Sequence, residues 1–200
     1  FETYKVPKSK KEPFSEVFGL CLGMASSVRL AKRGTGARTR WFVHVEKAVP
    51  QIRAKASSSS VTPSADSLNA LIETSHSLFP QLEIIGDYHS HPYKSYPQLK
   101  RYRGWSASRE DANSTAFLYR DLRHKTRRQH RMRVSFVIAI AKGRGTAVSE
   151  STRQQPNLVH FNLAGCHVFL SAYRILTNGQ MTPNGVTLRR PLREGYRKVG

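Results

Sequence analysis

Two histidines one residue apart, His89 and His91, follow an apolar run from Leu82 to Ile85. In an extended chain alternate side chains share a face, so both imidazoles point one way and Ser90 points the other. Two imidazoles at a strand end can reach one metal ion, and a downstream carboxylate can supply a third ligand. Three protein ligands with a fourth position open is the pattern of a catalytic zinc, not a structural one. A bare His-x-His in a basic chain is more often surface decoration, so the pair gains meaning only from what accompanies it.

Two further pieces accompany it. Downstream stands Ser108-Arg109-Glu110-Asp111; upstream, Glu16 leads Gly19-Leu20-Cys21-Leu22-Gly23. Together with His89-Ser90-His91-Pro92 these resemble the JAMM motif of MPN-type metalloproteases, a likeness that runs from Glu16 to Leu176 and looks closest to a prokaryotic-type member. The resemblance implies that His89, His91 and Asp111 hold one catalytic Zn2+, with Glu16 as the base above it and Ser108 as a donor to the developing oxyanion. It also implies the substrate: the peptide or isopeptide bond after the C-terminal tail of a ubiquitin-like protein. One departure concerns the spacer. Residues 92–107 separate the second histidine from Ser108, more than is usual in that family. The extra residues form an expected loop, Tyr93 to Trp105, and Tyr93, Tyr96, Tyr102 and Trp105 are expected to wall a substrate groove. A plainer reading stands beside each assignment. Ser-x-x-Asp is also a helix capping box in form, and a glutamate at a strand end can simply reach water.

The charge balance is unusual: 33 Lys plus Arg against 13 Asp plus Glu, formally +20. Such a field attracts nucleic acid or acidic protein faces. The densest positive run is Arg120 to Arg133, where an acidic protein or a nucleic acid is the expected partner. The alternative to an isopeptidase is therefore a nucleic-acid-associated protein of the same fold, similar to the RadC-type relatives that carry a comparable His-x-His-Pro. Two cysteines, Cys21 and Cys166, lie in apolar contexts and fit buried reduced thiols. No apolar run is long enough to span a membrane and no signal peptide is visible, so a cytoplasmic enzyme is expected.

The elements that must position these residues follow from pattern. Residues 1–12 read as a basic lead-in with a short strand at Tyr4-Lys5-Val6. Residues 13–176 form the metalloprotease domain, with 93–105 inserted, and 177–200 form a C-terminal extension. Strands are expected around Glu16–Leu22, Trp41–Val45, Leu82–Ile85, Val134–Ala141, Leu158–Leu163 and Val168–Leu176. Ala31–Arg40 reads as a hairpin tip and Ala54–Ser60 as a loop. Thr62 is expected to cap a helix whose first position is Pro63 and whose apolar face includes Leu68, Leu71, Ile72, Ser75, Leu78 and Phe79. A second helix opens at Ser108, with Ala112, Thr115, Ala116, Tyr119 and Leu122 inward. The turn across Ala164-Gly165-Cys166 is expected to close a hairpin. The fold class is α/β: a curved mixed sheet flanked by helices, the layout of an MPN (JAB) domain.

Overall fold

The computed structural model describes residues 16–30, 38–51, 55–56, 61–62, 65–125, 133–143 and 155–188. The expected lead-in with its strand at 4–6, the hairpin tip at 31–37, most of the serine loop, the centre of the basic run and residues 189–200 lie outside them.

The elements in chain order are β1 (Phe18–Leu30), β2 (Arg38–Pro50), two short strands β3 (Lys55–Ala56) and β4 (Val61–Thr62), and α1 (Ala65–Leu78). Then come β5 (Glu83–Tyr93), α2 (Tyr96–Tyr102), α3 (Arg109–Lys125), β6 (Val134–Lys142), β7 (Leu158–Leu163), β8 (Cys166–Ile175) and β9 (Met181–Thr182). The protein is mixed α/β. Its main sheet has seven strands in the order β2-β1-β5-β6-β8-β7, with β9 also on β8. Among the described strands only the β5–β6 pair is parallel, and α2 and α3 lie in its crossover. β6 lies between β5 and β8 and is mostly buried, the central place its apolar run demands.

One bulge sets which side chains face the helices. β1 and β5 pair in register from Phe18↔His89 to Cys21↔Gly86, then shift so that Leu22 faces Ile84. Ile85 is the extra residue, and an extra residue reverses the alternation beyond it. Ile84 therefore shares a face with Asp87, His89 and His91. On that face Phe18, Leu20, Leu22 and Ile84 pack with Leu68 and Ile72 of α1 and Leu118 of α3. Further along, Leu99 of α2 packs on Ala139, Ala141 and Phe169. The opposite face carries Cys21, Ile85 and Tyr88 in one cluster and Ile140, Cys166 and Val168 in another. Both cysteines are free and buried, as their contexts suggest.

Four local expectations need correction. Leu78, expected on the apolar face of α1, is 66% exposed. Thr62 lies in β4 rather than at a helix cap, and α1 begins at Ala65. The inserted segment is not a plain loop: Tyr96–Tyr102 is a helix, capped by Ser95, whose Oγ accepts from the Gln98 amide at 3.4 Å. The inner face of α3 includes Leu118, 3% exposed and missing from the expected set. The β7–β8 hairpin does close on two residues, Ala164 and Gly165, both at positive φ (48° and 74°). That pair of angles suits a tight turn between right-twisted strands.

Candidate metal centre

β5 delivers both imidazoles to one place because its strand is regular beyond the bulge. His89 is 5% exposed, and His91 lies beside it with ring centroids 4.9 Å apart. α3 delivers the carboxylate: Asp111 sits in its first turn, with Oδ1 3.2 Å from His89 Nε2 and Oδ2 3.4 Å from His91 Nε2. One donor atom from each of the three lies within 4.8 Å of the others. His89 Nε2 is buried, and its polar neighbour is Asp111 Oδ1 at 3.2 Å, another member of the same group. Two imidazole nitrogens and a carboxylate oxygen form a donor set that suits a divalent transition metal. Among the described residues this is the group arranged to hold a metal ion.

The surroundings orient each ligand. His91 Nδ1 donates to the Gly104 carbonyl at 2.7 Å. That bond holds the ring and leaves Nε2, on the Asp111 side, as the atom that would ligate a metal, the usual outer support of a ligating histidine. Gly104 reaches this position through the end of α2. Arg103 takes a left-handed conformation (φ 48°), and the Gly104 amide bonds back to the Leu99 carbonyl at 3.0 Å. A side chain at Gly104 would overlap the Tyr93 ring. The segment after Gly104 is tied to β8: Ser171 Oγ donates to the Trp105 carbonyl at 2.6 Å, and the Ala107 amide donates to Tyr173 Oη at 2.9 Å. The start of α3 is thereby held against the sheet.

Ser108 and Asp111 also make the capping box that their spacing allows. The Ser108 amide donates to Asp111 Oδ2 at 2.6 Å, and the Asp111 amide donates to Ser108 Oγ at 3.1 Å. The two roles are compatible. Asp111 Oδ1 remains toward His89, and a hydroxyl that accepts from an amide keeps its own hydrogen to donate. Ser108 is exposed, at the mouth of the site.

Glu16 arrives by register. Phe18 faces His89, and the Ser90 amide donates to the Val17 carbonyl at 2.8 Å, so the next step places Glu16 opposite His91. Ser90, turned away from the imidazoles, secures this end of the strand: its Oγ accepts from the Val17 amide at 2.8 Å. Glu16 is 7% exposed. Burial pushes its carboxyl up to about 7, against the lowering pull of His91 and then His89. Burial also acts to raise Asp111, but the two imidazoles and the Ser108 amide outweigh it and hold its carboxyl far below the usual carboxylate range. For His91, burial disfavours the charged ring, yet Asp111, the Gly104 carbonyl and Glu16 together raise its pKa.

The five motif residues, Glu16, His89, His91, Ser108 and Asp111, thus come from three places in the chain, the entry to β1, β5 and the start of α3, to one corner of the sheet. The four aromatic residues of the insertion divide. Tyr93, Tyr96 and Trp105 are half-buried against the α2 cluster. Tyr96 stacks on His167 at 4.0 Å and Trp105 on Phe169 at 4.9 Å. Tyr102 is 61% exposed. Sequence reasoning missed Asp87. It lies one alternation before His89, is 1% exposed, and accepts from Thr115 Oγ1 at 3.0 Å, with Ser135 Oγ 3.5 Å from that hydroxyl. Thr115 is one helical turn after Asp111, so the same two elements meet twice: once through polar groups in the core and once at the metal centre. Burial raises the Asp87 carboxyl, against the pull of Ser135, His89 and Thr115.

No family model matches this chain and no curated protein matches it in sequence.

Proposed function

We propose that this protein is a zinc-dependent peptidase of the JAMM type, an MPN-fold enzyme that hydrolyses the peptide or isopeptide bond after a ubiquitin-like C-terminal tail. The observation that carries the reading is the convergence of His89, His91 and Asp111 within 4.8 Å, with a buried glutamate delivered opposite His91 by strand register. Zinc is the natural ion for two imidazoles and one carboxylate with a position left open. When bound, it supplies Lewis-acid activation of water and of the attacked carbonyl.

The chain's own residues account for the remaining work. Glu16, with a pKa of about 7, is a base poised near neutrality and a carboxylic acid once it has taken a proton. It removes a proton from the attacking water and returns it to the leaving amine. Burial keeps its carboxyl from bulk water, and the strand clamp at Ser90 keeps it opposite His91. Ser108 directs its hydroxyl hydrogen at the oxygen that gains charge, a contact of the kind worth roughly 3 kcal/mol in the transition state. Gly104 holds the His91 ring, and Tyr102 is the insertion's exposed aromatic side chain, available to an extended tail.

The test compares wild type with Glu16→Gln and Asp111→Asn, measuring zinc per chain and hydrolysis of a ubiquitin-like C-terminal amide. Glu16→Gln should keep zinc and lose kcat by at least about 100-fold, the scale of a lost general base. Asp111→Asn should weaken zinc itself. Unchanged turnover in Glu16→Gln removes the proposed base, and a wild-type protein that takes up no zinc removes the whole reading.

A further inference from the structure

β1 and β2 pair along almost their whole length, but the rest of the sheet follows them only part of the way. β5 pairs with β1 as far as Gly23 and stops. Beyond it, Met24–Leu30 and Arg38–His44 continue as a two-stranded ribbon. Seven residues of strand span about 23 Å.

The ribbon's two faces differ. Directly opposed residues of an antiparallel pair share a face. The register sets Ala25 with Val43 and Ser27 with Trp41 on one side, and Met24 with His44, Ser26 with Phe42 and Val28 with Arg40 on the other. The first side turns to the body of the protein near Val43, which packs with the Cys21, Ile85 and Tyr88 cluster; farther out Trp41 is 44% exposed, with the Arg133 guanidinium 3.8 Å from the centre of its ring. The second side is exposed at all six positions. Phe42 is 49% exposed, between its diagonal neighbours Met24 at 53% and Val28 at 47%. An isolated two-stranded ribbon is marginal in water, and an apolar face left open on one marks a docking surface.

Charge selects the occupant. No acidic residue occurs between Glu16 and Glu46, while Arg29 and Arg40 are exposed on the ribbon. A second copy would set +20 against +20. The open face offers two aromatic rings, Phe42 and His44, beside a guanidinium, Arg40. Rings that can stack on bases next to cations that neutralise phosphates are the elements of single-strand recognition. We infer that this ribbon docks single-stranded nucleic acid, with bases stacked on Phe42 and His44 and phosphates met by Arg40 on the same face. The inference is independent of the metal centre.

The probe is a fluorescein-labelled oligothymidylate of about 20 nucleotides, long enough for a single-strand site, read by anisotropy across a salt series. Phe42→Ala should weaken binding about 5- to 100-fold, the scale of one lost stacking partner, with the salt slope unchanged. Phe42→Tyr keeps the ring and should keep the affinity, which separates stacking from a folding defect. Arg40→Gln should lower the slope of log K against log salt by about 0.7. Unchanged oligothymidylate affinity in Phe42→Ala overturns the proposal. So does an equal loss against polyglutamate, which makes an acidic protein the occupant. A concentration-dependent dimer that Phe42→Ala abolishes would assign the face to a second copy and overturn it too.

Discussion

β1 belongs to two regions of opposite construction. At its start, beside Glu16, four cross-ties gather the chain around it: Val17 to Ser90, His91 to Gly104, Trp105 to Ser171 and Ala107 to Tyr173. At its end, from Met24 onward, it pairs with β2 alone and offers an open face. Three helices cover the sheet at the first region, and their weight converts strand register into fixed distances between ligands. Among the described residues the ribbon's outward side is exposed at all six positions, so its side chains there are held mainly by the backbone ladder. Chemistry at a metal needs the first kind of construction, because ligand positions must be set before the ion arrives. Docking of a long flexible partner suits the second, where side chains adapt to what they meet.

The sharpest way to break this contrast is to loosen one tie in the covered region. Gly104→Ala puts a methyl group into the Tyr93 ring and must displace either the ring or the Gly104 carbonyl. The carbonyl is the acceptor that orients His91. Zinc affinity should fall 10- to 100-fold, the usual consequence of losing an outer support of a ligand. Overpacking should cost a further ~1–3 kcal/mol of folding stability. Competition with a chromogenic chelator measures the first and urea unfolding the second. If zinc affinity is unchanged while stability falls, the insertion supports the fold but not the metal centre.

This tie shows where sequence reading reached and where it stopped. The candidate ligands were legible, because His89 and His91 alternate on a strand and Asp111 stands at a helix start, and each of those patterns has a geometric consequence. Glu16 was legible only through its company, since a lone strand-end glutamate is unremarkable. Gly104 was not legible at all: it acts through a carbonyl that every residue possesses. Asp87 shares the alternation of His89 and His91, but nothing in the sequence shows that Thr115 and Ser135 meet it in the core. α2, Tyr96–Tyr102, is too short for a helical period to emerge. Its signal was chemical rather than periodic: Ser95 as a cap with Pro97 in the first turn, the pattern of a helix start. The ribbon escaped notice because strands are expected to be covered, and only the pairing reveals where the cover ends.

A smaller effect sharpens the same contrast through pH. The Glu16 carboxyl stands at about 7 in the fold against an ordinary value of 4.5, and burial is the leading cause. Between these values the folded protein binds the more protons, so raising pH through this window must lower stability. Below about pH 4.5 the contribution of this group is complete; above about pH 7 it is gone. Urea unfolding of metal-free protein should therefore show a decline from pH 4.5 to 7 that is shallower in Glu16→Gln, which has no proton to lose. Parallel profiles for the two proteins would mean that Glu16 is solvated, and the covered region would lose its central feature.

The smallest effect belongs to the ribbon. Phe42→Ser removes a large apolar side chain, which in the core costs roughly 3–5 kcal/mol. Phe42 is 49% exposed and opposite Ser26, on the face where nothing from the rest of the protein packs among the described residues. It follows that the fold gains little from it, and that the substitution should change stability by no more than about 0.5 kcal/mol. The expectation has a sharper form in the pair Phe42→Ser and Val43→Ser. These neighbours point to opposite faces, and Val43 packs with Cys21, Ile85 and Tyr88. Val43→Ser should cost clearly more, on the order of 1–2 kcal/mol, although valine is the smaller side chain. Equal costs would mean that the outward face is packed in solution, and the ribbon would then belong to the core rather than to a partner. A large difference in the expected direction means that Phe42 is retained for something other than stability.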